Sequence, residues 1–373
     1  MRKINTPIYI YQHKNWPHFT WKNDELVVSL AKTRNIQGRL IGKMESLGFS
    51  LREEAVLETL TLDVLKSNEI EGELLNSDQV RSSVAKRLGM SISGLVQPDT
   101  KVEGVVEMML DATQQNKKPL SANRLFDWHA ALFPTGRSGM YKITAGGWRK
   151  DETGPMQVIS GALGKEKVHY QAPEAELVDK EMKIFINWFN TEDNRLDPVI
   201  KAGIAHLWFI TIHPFDDGNG RIARAIADMQ LARADGSAQR FYSMSSQIRK
   251  ERNAYYDVLE KTQKGGLDIT EWLQWFLDCL LSALNATDDT LSKIVLKAKF
   301  WEKYSSTQLN ERQRLMINKL MDGFDGKLTS SKWAKITKYS TDTALRDIQD
   351  LMDKGILRKT PGGSKNTSYE LEW

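Results

Sequence analysis

The sequence predicts a mainly α-helical protein that carries one small β-hairpin and ends in a unit of three short helices and a second hairpin. Residues 23–116 and 174–301 have the apolar spacing typical of helices that bury one face. Glycines interrupt residues 136–173, where short β-branched runs predict a hairpin flanked by loops. Residues 309–373 return to short helical segments and close with a strand–turn–strand pattern.

The composition indicates a globular protein of two or three domains. The 373 residues contain 52 Lys and Arg against 48 Asp and Glu, and 40% are hydrophobic. The single cysteine, Cys279, excludes a disulfide framework and a multi-cysteine metal site, which agrees with a reducing compartment. No run reaches about 18 uncharged apolar residues and no apolar segment follows the basic N-terminus. We therefore expect a cytoplasmic protein without a membrane span or a secretory signal.

The pattern divides the chain into four segments. They are an N-terminal helical region with an extended arm (1–115), a helical core with the hairpin (116–285), a helical connector (286–308) and the C-terminal unit (309–373). The aromatic-rich residues 1–22 predict short strands or an extended arm.

Two helix starts in the first two segments carry clear signals. Asn76, followed by Gln79, resembles a capping box. Asp197-Pro198 provides an N-cap and a proline at the first helical position. The run Val199–Ile212 that follows is apolar nearly all round, which predicts a central, buried helix.

The loop after this buried helix reads His-Pro-Phe-Asp-Asp-Gly-Asn-Gly-Arg-Ile-Ala-Arg over residues 213–224. Gly218 and Gly220 let the backbone take φ > 0 and approach a ligand closely. Backbone N–H groups at the start of the next helix would then form an anion site. Arg221 and Arg224 are three residues apart, so they share the helix face that points back at this site. This is the arrangement that a polyphosphate needs.

The same loop offers a carboxylate and an imidazole. Asp217 supplies hard oxygen atoms for Mg²⁺, which proteins commonly hold with one or two carboxylates plus phosphate oxygens and waters. His213, with an ordinary pKa of ~6.5, can accept a proton near neutral pH. Together these parts predict nucleotidyl transfer, in which His213 deprotonates a hydroxyl that attacks a phosphorus aligned by Mg²⁺ and the anion site.

The loop resembles the signature of Fic (filamentation-induced-by-cAMP) proteins, HPFx[D/E]GNGRxxR, at every defined position. The resemblance implies a mainly helical Fic-type core that transfers AMP from ATP to a protein hydroxyl with the help of Mg²⁺. It implies that His213 is the general base and Asp217 the Mg²⁺ ligand. The residues that it implies around ATP are Phe215, Gly218, Asn219, Gly220, Arg221 and Arg224, the last of these at the γ-phosphate.

Two further segments look like parts of the same family. Gly147-Trp148-Arg149 and then Gln157, Val158, Ile159, Ser160 and Gly161 are similar to its flap hairpin, which holds the target segment by backbone pairing. The stretch Asn253-Ala254-Tyr255-Tyr256, followed by Gln263, is similar to its adenine pocket. The resemblance therefore implies that Tyr255, Tyr256 and Gln263 surround the base.

The stretch Ser67-Asn68-Glu69-Ile70-Glu71-Gly72 matches the family's inhibitory motif, [S/T]xxxE[G/N]. Ser67 and Glu71 are four residues apart, on one face of a helix predicted over about residues 60–72. A carboxylate delivered from there would pair with Arg224 and remove the partner of the γ-phosphate. The resemblance implies an N-terminal inhibitory helix whose glutamate can also orient water for AMP removal. The alternative is an ordinary solvated glutamate near a helix end.

Three other histidines are interpreted without a role in the reaction. His206 lies seven residues before His213, and no soft third ligand for zinc is at hand. We therefore expect a buried, hydrogen-bonded histidine there. His129 and His169 are expected to be structural or flap residues.

The C-terminal residues 309–373 resemble a winged helix. The predicted elements are helices over Asn310–Met321, Thr329–Thr337 and Ser340–Lys354 and a hairpin over Ile356–Trp373. Residues that would face DNA are Lys338, Thr341, Thr343 and Arg346 on the recognition helix and Arg358, Lys359 and Lys365 on the wing. Four acids share that helix, namely Asp342, Asp347, Asp350 and Asp353. DNA binding and protein docking therefore both stay open.

Two hypotheses of different classes follow. The first is a protein adenylyltransferase that uses ATP and Mg²⁺, acts on an unidentified target protein or on itself, and is held back by Glu71. The second is a DNA-binding transcriptional regulator whose Fic-like core senses nucleotide without turnover. Transfer of UMP or of a phosphate remains a third option, because the loop fixes phosphate handling better than it fixes the base. The amphipathic connector and the N-terminal arm also make a homodimer an open alternative.

Overall fold

A computed structural model describes residues 9–46, 49–90, 96–151, 154–161, 164–321, 323–324, 326–360 and 367–372. Two compact units make up the chain. The first comprises Met1–Leu88 with Gln97–Thr287, and the second comprises Gly89–Val96 with Asp288–Trp373. The boundaries at residues 115, 285 and 308 stay predictions.

The first unit is helical apart from two small hairpins. Its helices are α1 (Asn23–Glu45), α2 (Phe49–Ile70), α3 (Ser77–Arg87), α4 (Thr100–Gln114), α5 (Ala122–Leu132), α6 (Ala175–Asn190), α7 (Pro198–Ile212), α8 (Asn219–Asp235), α9 (Met244–Lys250), α10 (Arg252–Gln263) and α11 (Thr270–Lys303), the last of which continues past Thr287. Its antiparallel strand pairs are β1 (Arg137–Ser138) with β2 (Tyr141–Lys142) and β3 (Gln157–Ser160) with β4 (Lys167–Gln171). This architecture confirms the prediction of a mainly helical fold with a small hairpin.

Helix α7 is the centre of the first unit, as predicted. The Asp197 side chain accepts the backbone N–H of Val199 at 2.8 Å, and proline occupies the first helical position. Every residue from Val199 to Ile212 is buried, and α7 packs against α8 and α6. Gly203 allows α11 to approach, because a Cβ there would lie 3.0 Å from the side chain of Leu273. The loop that follows α7 therefore begins from a rigid support.

Three expectations about local structure, namely an element type, a helix start and a cap, are wrong. The described part of the N-terminal arm forms a short 3₁₀ turn, Ile10–Gln12, instead of strands, because rings such as Tyr9 pack edge-on against the core residue Tyr170. The predicted start of a connector helix near residue 286 lies inside α11, which begins at Thr270. The capping box at Asn76 is only half formed: Asn76 accepts the backbone N–H of Gln79 at 3.0 Å, while the side-chain oxygen of Gln79 has no partner among the described residues.

The second unit has the predicted order of elements. They are α12 (Glu311–Met321), α13 (Ser330–Thr337), α14 (Thr341–Asp353), β5 (Leu357–Lys359) and β6 (Tyr369–Leu371). Thr329 and Ser340 cap α13 and α14 through their side-chain oxygens. Trp333, fully buried, lies in the core of this unit. The predicted turn at residues 361–364 and Lys365 lie outside the described residues, and the winged-helix resemblance stays a prediction.

Among the described residues, no helix combines the length and the apolar character that crossing a membrane requires.

Candidate active site

The end of α7 places His213 in an unusual backbone conformation. His213 has φ 53° and ψ 57°, in the left-handed region that few residues other than glycine adopt. The buried Arg149 holds this turn, because its Nε donates to the carbonyl of His213 at 2.8 Å and its backbone N–H donates to the carbonyl of Pro214 at 2.9 Å. Such conformations persist where the surroundings over-determine them, often at functional sites.

The imidazole of His213 is held in the form that a general base needs. Its Nδ1 lies 3.1 Å from the carbonyl oxygen of Ile210, so Nδ1 carries the proton and Nε2 is the acceptor. Burial lowers the pKa of His213 to about 4; the Ile210 carbonyl opposes this shift and Arg149 adds to it. The ordinary pKa expected from sequence is therefore corrected, and the ring is neutral at pH 7.

Phe215 and Asn219 give the loop its shape from inside the core. The side-chain oxygen of Asn219 accepts the backbone N–H of Phe215 at 3.0 Å, and its amide nitrogen donates to the Phe215 carbonyl at 2.8 Å. Both side chains are buried. Their predicted contact with ATP stays a prediction, and in this structure they brace the loop.

His129 supports the loop after α7 through contacts that the sequence did not predict. Its ring stacks on Phe215 with centroids 4.2 Å apart. The backbone N–H of Gly146 donates to its Nδ1 at 3.1 Å, so its Nε2 donates to the carbonyl of Asp217 at 3.2 Å. Burial lowers the pKa of His129 to about 4, which keeps this ring neutral as well. Its position in a helix 84 residues before His213 gives no signal of these contacts.

The carboxylate of Asp217 is partly engaged and partly open. It accepts the backbone N–H of Gly218 at 2.6 Å and the hydroxyl of Ser138 from β1. Its side chain is 44% exposed and lies 4.0 Å from the guanidinium of Arg221. The described residues contain no group of three or more His, Cys, Asp or Glu that could hold a metal ion by themselves. A magnesium ion at Asp217 would therefore depend on phosphate oxygens and waters.

A carboxylate already lies at the N-terminus of α8, where an anion is expected. A Cβ added at Gly220 would collide with Oε1 of Glu71 and would lie 3.2 Å from Nη1 of Arg224. The absence of a side chain at residue 220 thus creates the space that the Glu71 carboxylate fills. Oriented N–H groups and the helix dipole make this place favourable for negative charge.

Arg224 binds two residues of the predicted inhibitory motif, Ser67 and Glu71. Its Nη2 lies 2.7 Å from Oε1 of Glu71, and its Nε donates to the hydroxyl of Ser67 at 2.9 Å. Burial alone would lower the pKa of Arg224, but Glu71 and the two nearby tyrosines raise it above its usual value. Its Nη1 is buried without a hydrogen-bond partner among the described residues. That donor is available to a further anion.

The predicted inhibitory helix is longer than expected at its start and shorter at its end. Helix α2 stops at Ile70, so Glu71 lies in the turn that follows and not on the helix face. The reason is Gly72, whose φ of 82° is incompatible with a right-handed helix. The turn aims the Glu71 carboxylate at Arg224.

Arg221 is paired with a residue that the sequence did not single out. Its Nη1 lies 2.9 Å from Oε2 of Glu73, and its side chain is 2% exposed. Its Nε, like Nη1 of Arg224, is buried without a partner among the described residues. The two arginines expected at the phosphates thus each hold one carboxylate and each have one buried nitrogen without a partner among the described residues.

The three residues expected around adenine lie in different surroundings. Tyr255 is buried, and its hydroxyl lies 3.0 Å from Nε2 of His206. The Gln263 amide lies 3.5 Å from the carbonyl of Ile210, behind His213. Tyr256 is less buried, and its hydroxyl donates to the carbonyl of Ile70 at 3.4 Å. Burial lowers the pKa of His206 to about 3, which confirms the prediction of a buried, hydrogen-bonded histidine.

The residues predicted to form the flap lie in the β3–β4 hairpin, and their role as a flap stays a prediction. The β3 side chains, Gln157 to Ser160, are all exposed, and β3 pairs with β4 alone in the described part of the chain. Gly161 follows β3 with φ 107°. The hydroxyl of Tyr170 in β4 donates to the carbonyl of Thr211 at 2.6 Å, two residues before His213. The hairpin is therefore attached to the end of α7 and leaves the outer edge of β3 open.

A second attachment of the flap runs through His169 in β4. Its Nε2 lies 2.6 Å from the hydroxyl of Ser160, and its Nδ1 lies 2.5 Å from Oε2 of Glu260 in α10. His169 therefore ties the β3–β4 hairpin to the helix that carries Tyr255 and Tyr256.

Comparison with known proteins assigns two regions of the chain to families. Residues 119–231 match the Fic/DOC family, and residues 9–90 match a domain of unknown function, DUF4172. The protein adenylyltransferase fic-1 of Caenorhabditis elegans is 26% identical over 226 residues, which are 57% of this chain and 42% of that protein. The protein adenylyltransferase Fic of Drosophila grimshawi is 34% identical over 118 residues, which are 30% of this chain and 23% of that protein. The chain thus spans less than half of the length of these curated relatives.

Solved structures show the same fold. A Fic family protein from Desulfovibrio desulfuricans G20 aligns with a TM-score of 0.54 at 21% identity, over 95% of this chain and 97% of its own. A Fic domain containing signaling protein from Bacteroides thetaiotaomicron VPI-5482 aligns with a TM-score of 0.51 at 20% identity, over 70% of this chain and 97% of its own. At this identity the likeness establishes the fold alone.

Proposed function

Because residues 119–231 of this chain form a Fic/DOC domain, we propose that it is a protein adenylyltransferase. It would transfer AMP from ATP to a hydroxyl side chain of a target protein, or of itself. The observation that carries this proposal is the carboxylate at the N-terminus of α8. Glu71 fills the space that Gly220 leaves and binds Arg224, so an anion site of phosphate-binding type exists at the loop after His213.

The unused donors at this site suit a triphosphate. Arg221 Nε and Arg224 Nη1 are buried and without partners among the described residues, and an unpaired buried donor is costly unless a ligand satisfies it. Asp217, being partly exposed, is the residue that would hold Mg²⁺ next to the phosphates. When bound, Mg²⁺ would neutralise charge on the phosphates during transfer.

His213 would act as the base. A neutral ring with Nε2 as acceptor can take the proton of the incoming hydroxyl while that oxygen bonds to the α-phosphorus. The bond between the α-phosphorus and the bridging oxygen breaks, and pyrophosphate leaves with the electron pair. Arg221 and Arg224 would hold the β- and γ-phosphates through this step.

Glu71 would hold the enzyme back. Its bond to Arg224 occupies the guanidinium that the γ-phosphate needs, so ATP would bind weakly or in an unproductive pose. The same carboxylate, at the anion site, could orient water for removal of AMP from a modified target. The target would be presented as an extended segment, because the free edge of β3 offers backbone groups for pairing.

The test is incorporation of label from α-labelled nucleotide into the purified chain and into proteins of a cell extract. Glu71→Gly and Glu71→Gln should raise labelling from ATP above that of the unchanged chain, and His213→Ala in the Glu71→Gly background should abolish it. Glu69→Gln is the matched control, because Glu69 lies two residues before Glu71, in the last turn of α2, but pairs with Lys66 at 2.7 Å. A parallel series with labelled UTP separates AMP from UMP transfer.

Equal labelling of Glu71→Gly with and without His213 would contradict the proposal. Labelling by Glu69→Gln as strong as by Glu71→Gln would contradict the inhibitory role of Glu71.

One observation keeps DNA binding by the second unit as a second candidate function. Asp347, one of four acids on α14, faces inward and binds Arg312 at 2.7 Å, so it does not oppose a phosphate at the surface. Arg346 on the same helix is exposed. A gel shift that weakens with salt and is lost on Arg346→Gln would support this function. Unchanged binding by that variant, or no shift at low salt, would oppose it.

A further inference from the structure

A second carboxylate from the inhibitory segment reaches the phosphate site. Oε2 of Glu73 lies 2.9 Å from Nη1 of Arg221, whose side chain is almost fully buried. The guanidinium carbon of Arg221 also lies 5.0 Å from the ring centre of Phe133, which fixes its plane. Glu73 therefore occupies one of the two arginines, while Glu71 occupies the other.

One turn delivers both carboxylates. Gly72, with φ 82°, separates Glu71 from Glu73, and the backbone N–H of Glu73 donates to the carbonyl of Asn68 at 3.0 Å. Arg221 and Arg224 are three residues apart on one face of α8, so two acids on either side of a tight turn match two arginines on adjacent turns of a helix. The two glutamates differ, however, in the charged groups that surround them.

The difference is that a lysine lies beside Glu73. Nζ of Lys101, in α4, lies 3.1 Å from the same oxygen, Oε2, that binds Arg221. The Glu73 side chain is 30% exposed and that of Lys101 is 47% exposed. Glu73 thus has Lys101 as a second cation on its solvent side. A rotation of the Glu73 side chain can move its carboxylate toward Lys101.

We propose that Glu73 is a second restraint on nucleotide binding and that Lys101 is the residue that receives it when nucleotide binds. This inference rests on the proposed function, because it takes residues 213–224 as the triphosphate site. A phosphate oxygen at Arg221 would repel the Glu73 carboxylate beside it. Rotation toward Lys101 relieves that repulsion while leaving Glu73 paired. Lys101 is then a positioning residue, which acts on the nucleotide only through Glu73 and Arg221.

The consequence is that replacement of Glu71 removes the carboxylate from only one of the two arginines. With Glu71 replaced, Arg224 loses its carboxylate partner and keeps its bonds to Ser67, while Arg221 remains paired with Glu73. A hydrogen bond between two charged groups is stronger than one between neutral groups. Since Glu73 is partly exposed and keeps Lys101 as a partner, we expect an effect of about tenfold in affinity.

The experiment is calorimetric titration of ATP with Mg²⁺ into a set of full-length variants. Glu73→Gln should tighten ATP binding by about tenfold in the Glu71→Gln background. Lys101→Met should weaken binding by several-fold in that background, and it should have no effect once Glu73 is also replaced by Gln, because Lys101 acts only through Glu73. Glu103→Gln is the matched control on α4, since Glu103 pairs with Arg87 at 2.9 Å instead.

A steady-state measurement separates this role from a structural one. Glu73→Gln should lower the KM for ATP and leave kcat of AMP transfer unchanged, because Glu73 contacts Arg221 and not His213. Thermal unfolding of each variant verifies that the fold is retained.

Three results would overturn the inference. The first is unchanged ATP affinity on Glu73→Gln in the Glu71→Gln background. The second is an effect of Lys101→Met that persists without Glu73. The third is failure of every variant to bind ATP, which would remove the proposed function as well. The first two leave the proposed function standing, so the failures are distinguishable.

Discussion

The depressed pKa of His213 predicts an activity that persists into mild acid. Burial lowers this pKa to about 4, and the contact of Nδ1 with the Ile210 carbonyl keeps the proton off Nε2. At about pH 5.5 a base with a pKa of about 4 is about 97% neutral, whereas one with the ordinary value of ~6.5 is about 9% neutral. If the neutral ring is the base, the rate at that pH should stay within a factor of two of the rate at neutral pH.

The assay is the initial rate of AMP incorporation by Glu71→Gly from about pH 5 to about pH 8. Saturating ATP and Mg²⁺ and circular dichroism at each pH control for binding and unfolding. A rate that halves near pH 6.5 and falls about tenfold for each further unit would refute the reasoning. His213 would then titrate as an exposed histidine, and burial would not set its charge.

Three further predictions concern the anion site, the core and the flap. In the Glu71→Gly background, Gly220→Ala should abolish ATP binding by calorimetry, because its Cβ would fill the space that the Glu71 carboxylate takes in the unchanged chain. Gly38→Ala in α1, with nothing within 4 Å of a Cβ, should leave binding intact in that background, and equal affinities would oppose a phosphate in that space. The pKa of His206 is lowered to about 3, so the unfolded chain takes up the proton first and this histidine costs stability as the pH drops below about 6.5. Because the pKa values of His129 and His213 are lowered as well, both chains should lose stability in acid, and urea unfolding should show a loss from about pH 7 to about pH 5 that is about 2 kcal/mol smaller for His206→Gln than for the unchanged chain; equal losses would contradict it. Glu260→Gln should loosen the flap through His169 and raise the KM for a protein target, with unchanged ATP affinity; a changed ATP affinity with an unchanged target KM would count against a flap role.

Much of the fold and the centre of the site could be predicted from local sequence. The uninterrupted apolar run after Asp197-Pro198 specifies a buried helix, and α7 is that helix. The loop after it contains its own glycines and arginines, so a twelve-residue stretch was enough to predict an anion site. The order of elements in the second unit followed from its short helical segments and closing strand–turn–strand pattern, and in the structure Thr329 and Ser340 cap two of these helices.

The contacts that could not be predicted from the sequence join residues that are far apart along the chain. Glu73 and Arg221 are 148 residues apart, and neither local pattern indicates the other. Arg149 binds the carbonyl of His213 across 64 residues, and a pKa of about 4 for that histidine results from burial that only the folded chain creates. The ends of helices are hard to predict from sequence for a different reason. A single backbone angle can decide them, as the positive φ of Gly72 does for the end of α2.

The central claim is that the loop from His213 to Arg224 binds a triphosphate with its α-phosphorus facing the imidazole. The most direct test is a crystal structure of Glu71→Gly with Mg²⁺ and an ATP analogue that cannot be cleaved between the α- and β-phosphates. We predict phosphate oxygens on Arg221 Nε and Arg224 Nη1, which have no partner in the described part of the chain, and the α-phosphorus in line with Nε2 of His213. A nucleotide bound elsewhere, or a triphosphate that leaves both arginines without phosphate contacts, would contradict the account.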